Sequence, residues 1–199
     1  MELNEELKNV LSEYEHIRLP RWEELPNFDI YMDQLITLVN RYLYFLQQED
    51  EPIITRAMVN NYVKLEMIPK PIKKRYQRTQ IAYLIAISVL KQVLTISEVR
   101  AGIDLQVLKS GSKKEAYDLF CDTFEDVMKS YVAFLLSDEK EPWSITFNDF
   151  TDQNQLLKAC SVSLVTRLAC RLQLQSKVKK LKEEDEAKKQ KELEQPSQN

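Results

Sequence analysis

Apolar residues recur at intervals of three and four along most of the chain, the spacing that turns one face of an α-helix toward a core. Residues 2 to 16 place Leu3, Leu7, Val10, Leu11 and Tyr14 on one such face. From Phe28 to about Gln47 the series Phe28, Tyr31, Met32, Leu35, Leu38, Val39, Tyr42, Phe45 and Leu46 keeps the period and predicts a second helix. Between them RLPRWEELPNFD, with two prolines and a tryptophan, predicts an ordered but irregular connection.

Thr55 stands where a side-chain oxygen caps the first turn of a helix over 55 to 67, which Pro69 and Pro71 stop. A basic loop follows, and then a helix from about Thr79 to Val93 that is apolar on most sides and so belongs in the core. Thr95 begins a short helix ending near Gly102, with Ile96, Val99 and Ile103 inward. Residues 113 to 136 line up Ala116, Leu119, Phe120, Phe124, Val127, Met128, Tyr131 and Leu135 in a long helix. The segment SDEKEPWSITFNDF reads as a loop in which Trp143 is the aromatic suited to docking or closing a pocket. Asp149 or Thr151 is placed to cap a last helix carrying Leu157, Cys160, Leu164, Leu168, Leu172 and Val178. Past Lys177 the apolar face is lost, which predicts a solvated helix fraying into a tail.

Composition sharpens this to an all-α fold. Two glycines in 199 residues are too few for hairpin-rich sheets or for the loops that cradle phosphates. The start of the chain lacks the features of a signal peptide, and the longest apolar run, Ile81 to Leu90, is half the length that crosses a bilayer. Three cysteines without paired-ligand spacing point to free thiols and a cytoplasmic protein. One histidine, His16, leaves a histidine-based metal site or a Ser-His-Asp machine poorly supplied. Carboxylate pairs such as Glu23-Glu24 and Asp149-Asp152 have no apolar neighbours that would raise a pKa for acid catalysis. Neither a cofactor nor a metal is expected, and binding is expected rather than catalysis.

Charge is distributed unevenly. The net charge is −3, yet residues 56 to 78 hold seven basic side chains against one acid, Glu66. On the wheel of the 55 to 67 helix, Val59, Tyr62, Val63 and Met67 share one side, while Arg56, Asn60 and Lys64, with Asn61 beside them, share the other. Amides and guanidinium groups read base edges by paired hydrogen bonds, and lysines neutralise phosphates. The candidate DNA-binding residues are therefore Thr55, Arg56, Asn60, Asn61 and Lys64 on the helix, with Lys73, Lys74, Arg75, Tyr76 and Arg78 in the basic loop.

The order ITRAMVNNYVKLEMIPKP, then KKRYQRTQIAYLIAISVLKQVLTISEV, resembles the DNA-binding end of MerR-type transcriptional regulators. The matching positions are Tyr62, Met67-Ile68-Pro69, Pro71, Lys74, Tyr76, Ile81, Leu84 and Ile96-Ser97-Glu98-Val99. The sequence departs from that pattern at Glu66, where the family has the glycine ending the helix, at Asn60, where it has an arginine, and at Val93, where another glycine is common. Its wing is also shorter and lacks a glycine. The span from LPNFDIYMDQLITLVN through LTISEV is similar to a family of uncharacterised proteins of Gram-positive bacteria, the YkrK-like domain of unknown function.

These resemblances imply a MerR-like winged helix-turn-helix embedded in a helical domain over 1 to 108, with its core over 28 to 103. A C-terminal helical dimerisation or sensor region follows over 109 to 182, and a solvated, disordered tail over 183 to 199. The expected function is a DNA-binding transcriptional regulator acting on double-stranded DNA as a homodimer through its C-terminal helices, with a small-molecule effector as a further partner and no membrane. The alternative is a protein-interaction adaptor or ligand sensor that has lost DNA contact.

Overall fold

The computed structural model describes residues 4 to 47, 51 to 137 and 154 to 194, with side chains up to 187 and at 190. Its helices are α1 (Glu5–Glu15), α2 (Met32–Tyr42), α3 (Arg56–Lys64), α4 (Arg78–Leu90), α5 (Ile96–Ser110), α6 (Lys113–Leu136) and α7 (Gln155–Glu194). Two short strands, β1 (Ile30–Tyr31) and β2 (Arg75–Tyr76), pair antiparallel as Ile30 with Tyr76 and Tyr31 with Arg75. The fold is all-α. Trp143, with the anticipated caps Asp149 and Thr151, lies outside the described residues.

Each long helix is set by its cap and its apolar stripe. Asn4 accepts the Leu7 N–H at 2.8 Å to start α1, which buries Leu7 and Leu11. Ser112 caps α6 by accepting from Glu115 N–H at 3.1 Å, and α6 then buries Phe120, Phe124, Val127 and Met128. The Phe124 ring stacks on Phe45 with centroids 5.6 Å apart. Leu164, Val165 and Leu168 of α7 join the same core. α4 is buried nearly all round, as its continuous apolar sequence requires. Beyond Ser176 the described side chains of α7 are exposed.

Three elements depart from the sequence reading. The periodic run from Phe28 is not helical at its start: Phe28 and Tyr31 are exposed, Ile30 and Tyr31 form a strand, and α2 begins at Met32. α3 stops at Lys64 rather than Met67. Glu66 takes φ 56°, and the Met67 and Glu66 N–H groups return to the Tyr62 and Val63 carbonyls at 2.9 and 3.1 Å, closing the helix by a Schellman turn. α5 runs through Gly102 to Ser110, because the residue that ends it is Gly111, at φ 79°.

The irregular connection before β1 is tied to α6 by a partly buried ion pair. Both terminal guanidinium nitrogens of Arg21 donate to the Glu125 carboxylate, at 2.6 and 2.7 Å, and the same carboxylate accepts the Leu19 N–H at 2.6 Å. With the fully buried Leu19 and Leu25 on either side, this fixes where the chain enters the β1–α2 corner.

Candidate nucleic-acid interface

The two ends of α3 are held by three groups, from α2, from the end of α4 and from α5. Asn40 of α2 donates to the Ile54 carbonyl at 3.0 Å and accepts the Ile53 and Ile54 N–H groups at 2.7 and 3.1 Å. Lys91, just past α4, donates to the Ile53 carbonyl at 3.2 Å, and burial pushes its pKa down. Thr55 then caps α3, its hydroxyl oxygen accepting the Met58 N–H at 3.3 Å. At the other end Arg100 of α5 donates to the Leu65 carbonyl at 3.0 Å, filling an acceptor that the helix leaves open. Sequence reasoning found Thr55 and missed Asn40, Lys91 and Arg100. Their partners lie 13 to 38 residues away, beyond the reach of any local pattern.

The inner face of α3 buries Val59 and Tyr62. Asn60, Asn61 and Lys64 are exposed on the opposite side. Arg56 is exposed as well, but its guanidinium forms an ion pair with Asp33 at the start of α2.

The basic loop is a tight β-hairpin. Ile72 and Arg75 exchange two backbone hydrogen bonds, at 2.9 and 3.1 Å, around a two-residue turn in which Lys73 and Lys74 lie at φ 49° and 64°. Positive φ at both central residues is the type I′ arrangement, which matches the strand twist and is ordinarily made by Asn-Gly. Two lysines in it cost about 1–2 kcal/mol each in local strain, and both side chains stand in solvent at the hairpin tip.

The hairpin's base is anchored. Tyr76 is 3% exposed, and its burial raises the phenol's pKa against a smaller pull from Arg56. Although named among the candidate contacts, Tyr76 thus packs the hairpin onto the core and offers no surface. Arg78 is also engaged: it donates to the Leu25 carbonyl at 3.2 Å and to Glu23 at 2.6 Å. Arg75 lies over the Tyr31 ring, 5.4 Å from its centroid. Among the described residues Lys64, Lys70, Lys73 and Lys74 make no ion pair.

The β1–α2 corner stitches the two parts together. Tyr31 meets the hairpin through Arg75, and Asp33, two residues on, meets the first turn of α3 through Arg56. α3 and the hairpin therefore both touch one short segment at the surface.

Among the described residues no cluster of three or more His, Cys, Asp or Glu could hold a metal ion, and no helix is long and apolar enough to cross a membrane. No curated protein and no solved structure matches the chain. A family does match, over residues 20 to 120, a span of about half the chain that runs from the Pro20–Arg21 connection into α6 and contains every group placed in this interface. The chain belongs to the family described as "Domain of unknown function (DUF1836)".

Proposed function

We propose that the protein is a DNA-binding transcriptional regulator of the cytoplasm, in which α3 enters the major groove and the hairpin acts as a MerR-like wing on the flanking phosphates. One observation carries the reading: Asn60, Asn61 and Lys64 stand exposed on one face of α3, and a strained turn holds Lys73 and Lys74 outward beside it. Amides suit adenine edges, and the lysines suit phosphates. The likeness to the YkrK-like and MerR-type patterns adds the same expectation. Arg56 contributes by exchanging Asp33 for a base or phosphate, and Arg78 by orienting the start of α4.

One such module binds weakly, so a homodimer is part of the proposal. Leu174, Val178 and Leu181, at the 4–3 spacing of a coiled-coil seam, are 61%, 41% and 65% exposed on α7 and supply a face for a second copy.

Random duplex DNA titrated at two salt concentrations tests the reading. Four or so phosphate contacts predict a log–log salt slope of about −3 to −4, abolished by Lys73→Glu, Lys74→Glu and Arg75→Glu together. Salt-independent or absent binding overturns it.

A protein-interaction adaptor is the second reading, favoured by one feature: Phe28, Tyr31 and Ile72 are exposed around the hairpin, while Arg56 and Arg78 are already engaged by acids. An acidic peptide with apolar side chains would cover that surface.

A further inference from the structure

α5 lies across α4, α6 and α7 without filling the space beneath it. Ala82 and Ala86 on α4, Gly102 on α5 and Ala116 on α6 leave room there, and a cavity of about 90 Å3 opens between the four helices. A Cβ at Gly102 would meet nothing within 4 Å. The remaining walls are almost wholly hydrocarbon, from residues such as Leu90, Leu94, Ile103, Phe120 and Leu157. Lys113 is a charged residue on the lining, and no described carboxylate shares that lining. It is the first residue of α6, so this positive charge stands at the end of the cavity where α5 gives way to α6. Lys113 reaches back over the Tyr83 ring, 5.9 Å from its centroid.

An apolar cavity with a few polar groups at one end is the general form of a small-molecule site. The volume admits a single ring or a short branched chain. The Lys113 ammonium selects the sign of the polar end, because a carboxylate there keeps solvent on one side and gains an ammonium on the other. We propose that the cavity binds a small monocarboxylic acid with a compact aromatic or branched hydrocarbon body, the body lying between α4 and α6 and the carboxylate turned toward Lys113. Tyr83 also lines a second, more polar cavity, bounded by Val63 of α3 and by Glu66, Lys70, Arg100 and Asp104. The site does not depend on the DNA reading, and its test contains no DNA.

Calorimetric titration of the full chain with benzoate, and with benzyl alcohol as the neutral analogue, tests it. Benzoate is expected to bind more tightly than benzyl alcohol and to raise the Tm. Lys113→Met should weaken benzoate about threefold, the range of a solvent-facing charge pair, and leave benzyl alcohol unchanged. Ala86→Phe, which fills the cavity, should abolish binding of both while the helical circular dichroism persists. Gly102→Leu fills the same space and raises helix propensity, so it stands in if Ala86→Phe fails to fold. Absence of binding by the wild-type chain, equal affinity for the two probes, or binding that survives a filled cavity overturns the proposal.

Discussion

Ile72 and Arg75 bracket two lysines with a pair of backbone hydrogen bonds, and both lysines are held at positive φ. Stability and surface charge are set against each other at this turn. Replacing the pair with the residues the turn prefers, Lys73→Asn with Lys74→Gly, should raise stability by about 1–2 kcal/mol in urea denaturation, part of the relieved strain being offset by the backbone entropy that glycine loses on folding. The same variant loses two cations, so the salt slope of DNA binding should shrink by about two. A variant that is both more stable and unaltered in DNA binding would mean that the lysines have no part in it.

The end of α3 makes the same point without a charge argument. Glu66 occupies the left-handed position that closes the helix, where glycine has no steric penalty. Glu66→Gly is expected to stabilise by about 1 kcal/mol, whereas Glu66→Val, branched at Cβ, should destabilise by at least as much. Equal midpoints for the two variants would contradict the Schellman closure.

Elements whose local pattern and tertiary role agree were legible before the structure. Thr55 as the cap of α3, the buried circumference of α4 and the apolar stripe of α6 all follow from spacing and composition. Features without a local signature were not. The strand at Ile30–Tyr31 is two residues long, too short to display alternation, so its apolar residues merge with the helical period of α2. Neither Lys73-Lys74 nor Glu66 contains the glycine that announces positive φ. Gly102 looks like a stop and is not one, since a mid-helix glycine costs only about 1 kcal/mol. The candidate interface was legible as a list of exposed cations but not as a balance of charges, because Asp33 reaches Arg56 across 23 residues and Glu23 reaches Arg78 across 55.

Arg21 and Glu125 are not equivalent partners. Removing Arg21 leaves a carboxylate that still accepts the Leu19 N–H, whereas removing Glu125 strips that buried N–H of its acceptor while Arg21 keeps Asp122 at 2.7 Å and the Leu19 carbonyl at 2.8 Å. Glu125→Ala should therefore cost roughly 2–3 kcal/mol, and Arg21→Ala about 1 kcal/mol less. Chemical denaturation of both single variants decides the order, and a larger loss for Arg21→Ala would sink the assignment.

Acid should loosen the protein through three exposed glutamates. Hydrogen bonds from Lys114 and then Arg78 lower the pKa of Glu23, those from Arg18 and the Arg21 backbone lower that of Glu24, and those from the Thr95 hydroxyl and N–H lower that of Glu98. A carboxyl whose folded pKa lies below its unfolded value, about 4.3 for glutamate, binds protons more readily once unfolded. Its contribution is therefore complete above that pH and is lost as the pH falls through the lower folded value. Between pH 7 and about pH 3 the wild-type urea midpoint should drop further than that of a Glu23→Gln, Glu98→Gln variant, which has no charge to lose at those two sites. Equal drops would show that the ion pair from Glu23 to α4 and α6 and the capping box of α5 contribute nothing to the acid limb.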